Sequence, residues 1–486
     1  MPSPRKTRAH RSVPKVAKNT ATDSLNRRAA RVDEPGLFRG WVDTVPRVYL
    51  LLVVLWFFEL FSPHKLIQYF SDAARPLTWV PEILLWICVI MVVRGSAPKR
   101  GFPAYSRFMV LFLFGTAVAY LHGQWGLARA VDRHMYQLYL LAIITLTICD
   151  RPTHARRILE LYFGYFIWFG MWGLLSLVIS PISQSEDPGA RVIVFWHPDY
   201  DNRDAFGPLM VAGLAYSIYY LQADRAIKSR ARTALCYLSI GLCVVGFVTS
   251  FGRGAFLAFI AVATSMWLRT KRKIAVIVAL LIVVGVATLT VPRLMDRYVD
   301  TMQSITQQGT TSGTGADRAA LWNIAWREFL SSPIVGVGTS NFGSGASAVM
   351  SPGEVAAGGY TAGKLWGRAA HSAPMTILAE YGLSGAVIAA LLIADFFRTN
   401  RRTRWYAAKF ASPVVRQPDG FPPGYVNAVA LGLHAAFLAF CVSGIFYEIL
   451  YSQLFWNVIV LNRMLYFASG AALVYELKRP SVRRAA

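Results

Sequence analysis

Cysteine and acidic residues are both scarce in this chain. Five cysteines occur in 486 residues, and Cys88, Cys149, Cys236, Cys243 and Cys441 all lie inside apolar stretches. This arrangement excludes a disulfide framework and offers no zinc-ligand spacing. The 26 acidic residues are outnumbered by 50 basic ones, and charged residues together make up only 16% of the chain.

A cleavable signal peptide is also missing. The sequence up to about Arg39 is rich in Ala, Arg and Lys, and it lacks the apolar core of about 7–15 residues that a signal peptide needs. We predict that residues 1–45 form a disordered basic tail on the cytoplasmic side, close to the anionic inner leaflet. Binding of a specific partner is the less favoured interpretation of this tail.

Hydrophobic residues dominate what is present. They make up 55% of the chain and come in long blocks rather than at amphipathic spacing. Such blocks are typical of membrane-spanning helices, and about twelve of them predict an all-α polytopic membrane protein. The membrane domain is predicted to cover 46–477, with a short cytoplasmic tail at 478–486. The blocks begin near Val48, Trp79, Phe108, Met135, Ile158, Phe206, Ala234, Ala255, Ile274, Met375, Val426 and Leu454.

The net charge of +24 does not indicate nucleic-acid binding, because the basic residues are not gathered on one soluble module. They punctuate alternate connections, for example at 228–232, 269–273 and 398–404. By the positive-inside rule these connections and both termini are cytoplasmic. The other connections then face outward.

Four outward segments carry most of the polar chemistry. They are the loop from Ser180 to Arg203, the tight turn from Ser250 to Arg253, the long segment 292–372 before the tenth span, and the short link around Glu448. The end of the first loop offers Asn202 and Arg203 as candidate substrate contacts.

The long segment contains an amphipathic pattern from Asp317 to Leu330, which predicts a helix lying on the bilayer surface or on the protein. Ser332-Pro333 should end that helix. The glycines from Gly336 to Gly345 predict a flexible loop and not a nucleotide fingerprint, because no strand surrounds them. A phosphate contact by the loop's backbone amides stays open. His371 follows, with Pro374 suited to the first turn of the next helix.

Arg253, Arg318 and His371 are the candidate catalytic residues. Arginine binds phosphate bidentately and keeps its charge, although each of these arginines could instead pair with a lipid headgroup or an acidic neighbour such as Asp317. A neutral imidazole could take a proton from a sugar hydroxyl, or could simply be hydrogen-bonded.

Several further polar residues are candidates for the site or for helix packing. Glu448 could orient His371, bind acceptor hydroxyls or be a plain interfacial carboxylate, and Trp322 is a further candidate substrate contact. His434 and Arg463 lie deeper in the last two spans, where they are predicted to brace helices through polar neighbours such as Asn457. The Asp199-Tyr200-Asp201 pattern occurs in metal-dependent sugar transferases, but such triplets also arise by chance in turns, and no metal site is predicted.

Three segments resemble the O-antigen ligase and O-antigen polymerase superfamily of bacterial membrane glycosyltransferases. They are Thr249 to Ala255, Asp317 to Phe342, and His371 to Gly385. The first resembles the family's Ser-Arg-Gly turn, with Gly252 inserted before the arginine. The second follows Arg-x-x-Leu-Trp and then Pro-x-x-Gly-x-Gly-x-x-Asn-Phe. The third follows His-Asn…Leu-x-Glu-x-Gly-x-x-Gly, with Ser372 in place of the asparagine.

The resemblance implies a GT-C-like fold of about twelve helices, with a large periplasmic loop between helices 9 and 10. It also implies inverting transfer, without metal or other cofactor, of a polyprenyl-diphosphate-linked glycan in the bacterial inner membrane. Arg253 and Arg318 would hold the diphosphate, and His371 would activate a glycan or lipid A-core acceptor on the periplasmic face. Glu380, Gly382 and Gly385 of the third segment are assigned to helix packing and hydrogen bonding.

Several activities stay open at this stage. An O-antigen or exopolysaccharide polymerase uses the same donor as a ligase and differs only in the acceptor. Transfer of glycan to protein is a more distant possibility. A transporter or flippase of an anionic solute or lipid is the alternative from another class, and it would place its ionisable groups at the bilayer midplane.

Overall fold

The structure is a computed structural model, and it describes the chain in separate stretches. These are residues 45–71, 76–77, 79–94, 103–121, 125–149, 151–179, 203–224, 230–250, 252–270, 273–274, 277, 285, 314–351, 353, 370–410, 421 and 424–470. Residues 49–486 form one compact unit. Of the other unit, 1–48, only the start of one helix is described, so the predicted disordered tail at 1–45 stays a prediction.

The described residues are helical and contain no strand, which confirms the all-α class. Fourteen helices lie among them. They are α1 Val45–Phe61, α2 Pro63–Phe70, α3 Val80–Arg94, α4 Pro103–Leu121, α5 Trp125–Ile148, α6 Pro152–Ile179, α7 Arg203–Asp224, α8 Arg230–Ser250, α9 Arg253–Arg269, α10 Thr314–Ser331, α11 Phe342–Val349, α12 Ala373–Phe410, α13 Tyr425–Ser443 and α14 Gln453–Ala468.

Four of the described helices, α6, α8, α12 and α13, are long and apolar enough to cross a membrane. The α1–α2 pair makes a fifth candidate span, with a bend of 51° between the two helices. Shorter apolar helices occupy Phe108–Leu121, Met135–Ile148 and Gly254–Arg269. The prediction of about twelve spans therefore stays a prediction.

Helix α7 lies at the centre of one half of the bundle, packed against α6, α8, α9 and α13. Every residue from Ala205 to Ser217 is buried. Gly213 permits this packing, because a Cβ there would lie 2.5 Å from Phe166 and 2.8 Å from the Cys243 Sγ. Side chains of α6 and α8 therefore pack directly against the α7 backbone at this position.

The other half of the bundle brings α4, α5, α12 and α14 together. Aromatic rings fill it: Phe108 packs on Trp456 with centroids 5.2 Å apart, and Phe112 packs on Tyr381 at 5.1 Å. Helix α1 joins this half through the Trp56 Nε1, which donates to the Thr145 Oγ1 of α5 at 2.9 Å.

Helix α12 is interrupted at Gly382, which has φ 61° and ψ −157°. The break leaves backbone groups unpaired within the helix, and the segment 333–338 pairs with them. Val337 and Gly338 donate their N–H groups to the carbonyls of Ala379 and Glu380 at 2.9 and 3.0 Å. In return, the N–H groups after the break, at 383 and 384, donate to the carbonyls of residues 333 and 334.

The segment 336–342 is therefore fixed, and the flexible loop predicted there is wrong. Gly336 and Gly338 have φ of 72° and 103°, where a side chain would be strained. Every N–H from Gly336 to Phe342 donates to a protein acceptor, so the amides are not available for a phosphate contact.

His434 and Arg463 brace helices, as predicted. Arg463 connects α14 to α12 through Asp395 at 3.3 Å and the Thr399 Oγ1 at 2.8 Å, rather than through Asn457. The Arg269 guanidinium of α9 donates to the His434 Nε2 of α13 at 2.6 Å.

Candidate functional site

The connection 444–452 between α13 and α14 is the point where the candidate site is assembled. The N–H of Ala373, the first residue of α12, donates to the Gly444 carbonyl at 2.8 Å. Trp322 of α10 packs on Phe446 with ring centroids 6.3 Å apart. A Cβ built on Gly254, in the first turn of α9, would lie 3.8 Å from the Phe446 Cβ. The starts of α9 and α12 and one face of α10 therefore meet at this connection.

Arg318 is held by an acidic residue far away in the sequence. Its Nη2 lies 2.7 Å from the Asp204 Oδ2, and both side chains are mostly buried. Asp204 lies in the first turn of α7, where the helix dipole favours an acidic side chain. The predicted acidic partner, Asp317, is not the observed one. The pair ties the first turn of α7 to α10, and a guanidinium with five N–H donors keeps further donors for another anion.

For other residues predicted from the sequence, the structure describes only the backbone or nothing. Arg253 and Arg203 are the first residues of α9 and α7, and the structure describes their backbone but not their side chains. Asn202 and the 199–201 triplet lie outside the described residues. The tight reversal between α8 and α9 is confirmed, since only residues 251 and 252 separate the two helices.

His371 stands immediately before α12 in a left-handed backbone conformation, with φ 51°. Its neighbours Ala370 and Ser372 are buried, whereas His371 itself is half-buried. A residue other than glycine in this region costs on the order of 1–3 kcal/mol, and such residues cluster at functional sites where the surroundings hold them. The Ser372 carbonyl accepts from the Thr376 N–H at 2.9 Å, which fixes the start of the helix.

Trp322 presents an unused donor. Its Nε1 is buried and has no hydrogen-bond partner within the described part of the chain. Buried indole N–H groups usually find a partner. The position of Trp322 against Phe446 therefore gives the site a donor that a ligand oxygen can use.

Glu448 belongs to the same connection and accepts hydrogen bonds from the Thr376 hydroxyl of α12 and from the Leu450 N–H. Burial raises the pKa of the Glu448 carboxyl to about 8, and the hydrogen bond from Thr376 only partly opposes this rise. The carboxyl is therefore mostly protonated near neutral pH, so it does not repel an anionic substrate.

Sequence reasoning missed two groups near Glu380, the side chains of Tyr451 and Glu328. Glu380 itself, predicted to serve helix packing and hydrogen bonding, accepts from the Ser340 N–H at 2.9 Å and from the Tyr451 hydroxyl. Glu328 of α10 is fully buried, and its carboxyl has no hydrogen-bond partner among the residues described. Burial, with a contribution from Glu380, raises the pKa of Glu328 to about 10.

Local patterns carried little information on these groups. Tyr451 was detectable only as a polar aromatic residue in the link that holds Glu448. Glu328 looks in the sequence like any glutamate of an amphipathic helix. Within the described ranges, no group of three or more His, Cys, Asp or Glu side chains is arranged to hold a metal ion.

Comparison with known proteins identifies the region around the site. Residues 238–390 match a family model described as O-antigen ligase. The matched region begins in α8 and ends in α12, so it contains the tight reversal, α10, the segment 332–341 and His371. No curated protein matches the chain. Residues 238–390 are therefore similar to the O-antigen ligase family, and this similarity, together with the apolar helices, indicates a multi-pass inner-membrane protein of the glycosyltransferase type.

Proposed function

We propose that this protein transfers a glycan from a polyprenyl diphosphate to a glycan or glycolipid acceptor at the periplasmic face, as an O-antigen ligase does. The observation that carries the proposal is the meeting of α9, α10 and the start of α12 at the connection 444–452. The family match covers three of these elements and implies a lipid-linked glycan as substrate.

In this proposal Arg318 and Arg253 bind the diphosphate of the donor. The pair with Asp204 holds the Arg318 guanidinium in one orientation before substrate arrives. Preorganised donors in a site of reduced dielectric stabilise the charge that grows on the leaving group. A lipid diphosphate carries that charge at headgroup height, which suits side chains at the ends of membrane helices.

His371 is the general base of the proposed reaction. It takes the proton of an acceptor hydroxyl, and the acceptor oxygen bonds to the anomeric carbon of the donor sugar. The bond from that carbon to the diphosphate oxygen breaks, and its electron pair leaves with the polyprenyl diphosphate. Attack from the face opposite the leaving group inverts the anomeric centre.

Two observations favour this reaction over transport. In many transporters, interrupted helices expose backbone groups to a substrate or ion near the midplane. The break of α12 at Gly382 is instead filled by the backbone of residues 333–338. Arg463 and His434, which a transporter would place in a central cavity, pair with neighbouring helices.

The test is a transfer assay with purified full-length protein in detergent. The donor is a polyprenyl-diphosphate-linked oligosaccharide, supplied with and without lipid A-core, and products are resolved by gel and mass spectrometry. Glycan on lipid A-core supports the ligase, whereas longer lipid-linked chains made without that acceptor show a polymerase. Absence of turnover with either would overturn the proposal.

The His371→Ala variant tests the base in the same assay. We expect the rate to fall about 10²–10⁴-fold, the usual contribution of a general base. The protein should still insert and elute as a single species in detergent. Wild-type turnover by this variant would remove His371 from the mechanism.

A further inference from the structure

A polar cavity of about 300 Å³ opens at the end of the bundle where α1 ends and α3 and α14 begin. Phe58 and Tyr451 contribute aromatic rings to its wall. Its polar and charged side chains are half-buried. Six of them are Glu59, His64, Lys65, Glu82, Gln137 and Gln453. None of these six residues belongs to the site described above, whereas Tyr451 lies on its connection 444–452.

The bend between α1 and α2 builds one wall of this cavity. Ser62 stands at the bend in a left-handed conformation, with φ 46°, and its carbonyl accepts from the N–H of Lys65 at 3.0 Å. The turn directs His64 to the cavity, with its ring 6.0 Å from that of Phe58. The His64 Nδ1 is buried and has no hydrogen-bond partner among the described residues. A buried polar atom without a partner is costly, and a ligand hydroxyl would supply the missing hydrogen bond.

The lining suits a ligand rich in hydroxyl groups and low in charge. Two carboxylates, Glu59 and Glu82, face one ammonium, Lys65, and the described lining contains no guanidinium. The lining thus lacks, among the described residues, the side chain best suited to a diphosphate, whereas carboxylates accept hydrogen bonds from hydroxyls and carboxamides both accept and donate them. At about 30 Å³ per water the volume holds roughly ten water-sized groups, close to the dozen or so non-hydrogen atoms of a hexose.

Tyr451 connects the cavity to the proposed reaction site. Its hydroxyl donates to Glu380, and it lies on the same connection as Glu448. This connection runs from α13, which packs on α7 and α9, to α14, which packs on α5. Helix α9 packs on α13 at one end of the connection, and Tyr451 and Gln453 at its other end line the cavity, so one connection links the cavity to the proposed site.

We infer that this cavity binds one uncharged sugar residue of the acceptor glycan. The inference rests on the proposed function and adds to it the place where the acceptor binds. The donor is excluded from the cavity because its diphosphate must reach the arginines.

Two lining variants and one matched control test this inference in full-length protein. Gln137→Leu removes a hydrogen-bonding group, and Glu82→Gln removes a charge; both change the side-chain volume little. The matched control is Gln68→Leu, the same substitution as at Gln137 but on α2 and outside the lining. The probe is the dephosphorylated oligosaccharide released from lipid A-core, and its dissociation constant is measured by calorimetry. We expect a five- to tenfold weakening for each lining variant, because Gln137→Leu loses a hydrogen bond and Glu82→Gln replaces a charge-assisted hydrogen bond by a neutral one, and no change for the control.

Transfer kinetics form the second arm. Under the inference, the KM for the acceptor rises in Gln137→Leu and the KM for the donor does not. Failure of wild-type protein to bind the oligosaccharide, equal binding by both lining variants, or a rise in the donor KM would each overturn the inference. Binding that depends on Gln137, without transfer by the wild type, would count against the proposed function and support the sugar-binding cavity.

Discussion

At the scale of single residues, the most informative contact is the pair formed by Arg318 and Asp204. A partly buried ion pair orients the guanidinium, but it also neutralises part of its charge. In the proposed site, Arg318 therefore binds the diphosphate through its remaining N–H donors, which the pair with Asp204 holds in a fixed position. A lysine would keep the charge and lose the fork of donors.

Arg318→Ala is expected to lower kcat/KM for glycan transfer about 10²–10³-fold, since one preorganised donor group to the leaving group is lost. Arg327→Ala is the matched control, because Arg327 lies on the same helix and is exposed. The measurement is the initial rate of transfer at limiting donor, with elution in detergent as a check on folding. A similar loss in both variants would assign the effect to α10 and not to Arg318.

Glu448 gives a prediction about pH. An unfolded glutamate titrates near 4.5, whereas in the folded protein the pKa of Glu448 is about 8. Between these values the folded state holds a proton that the unfolded chain has released. The stability that depends on this proton therefore falls as pH rises through the window and levels off above about 8.

Glu448→Gln removes this titration, so its thermal midpoint should fall less steeply than that of the wild type from about pH 5 to about pH 8. The midpoints are measured by scanning fluorimetry in one detergent. Glu328→Gln provides the comparison, since the pKa of Glu328 is about 10 and its effect continues to higher pH. Parallel curves for wild type and Glu448→Gln would contradict the raised pKa.

At the scale of elements, the break in α12 joins two motifs that the sequence presents separately. The Pro-x-x-Gly-x-Gly segment and the Leu-x-Glu-x-Gly segment pair through four backbone hydrogen bonds, at residues 337, 338, 383 and 384. Their glycines are required because backbone meets backbone. A Cβ on Gly382 would lie 2.5 Å from the Ile334 carbonyl carbon. The pairing joins the segment after α10 to α12, and α10 itself packs against α12.

Gly382→Ala should therefore destabilise the protein. The left-handed conformation alone costs on the order of 1–3 kcal/mol, and the clash with residue 334 adds to it. Gly241→Ala is the control, since Gly241 lies within α8 and a Cβ there meets nothing within 4 Å. We expect a clear drop in the thermal midpoint for Gly382→Ala, and an unchanged or slightly higher one for Gly241→Ala. Equal midpoints for both variants would show that the junction is not a structural requirement.

At the scale of the whole molecule, the sequence predicted what local signals encode. It predicted the helical class, the reversal before α9, the end of α10 near Pro333 and the start of α12 near Pro374. It did not predict the pair of Arg318 with Asp204, which lie 114 residues apart, or the fixing of 336–342 by α12. Such contacts depend on which helices become neighbours, and a single sequence carries no local pattern for that.

The orientation of the protein in the membrane can be tested at the two ends of α12. Ile445 is exposed beside the start of α12, and Arg401 is exposed near its other end. The 29 residues from Ala373 to Arg401, with the break at Gly382, span at most roughly 42 Å, more than the hydrocarbon core of about 30 Å. The two positions should therefore lie on opposite sides of the membrane, with Ile445 in the periplasm.

Labelling of introduced cysteines measures this orientation directly. The native thiols give little background, because Cys88, Cys149, Cys236 and Cys243 are buried and Cys441 is partly so. A membrane-impermeant maleimide added to intact cells should label Ile445→Cys and not Arg401→Cys, and lysis should expose Arg401→Cys. The reverse pattern would place the connection 444–452 in the cytoplasm. Transfer by the purified protein would then still show the reaction, but on the cytoplasmic face. The donor would be taken from the cytoplasmic leaflet, and a periplasmic reaction would be excluded.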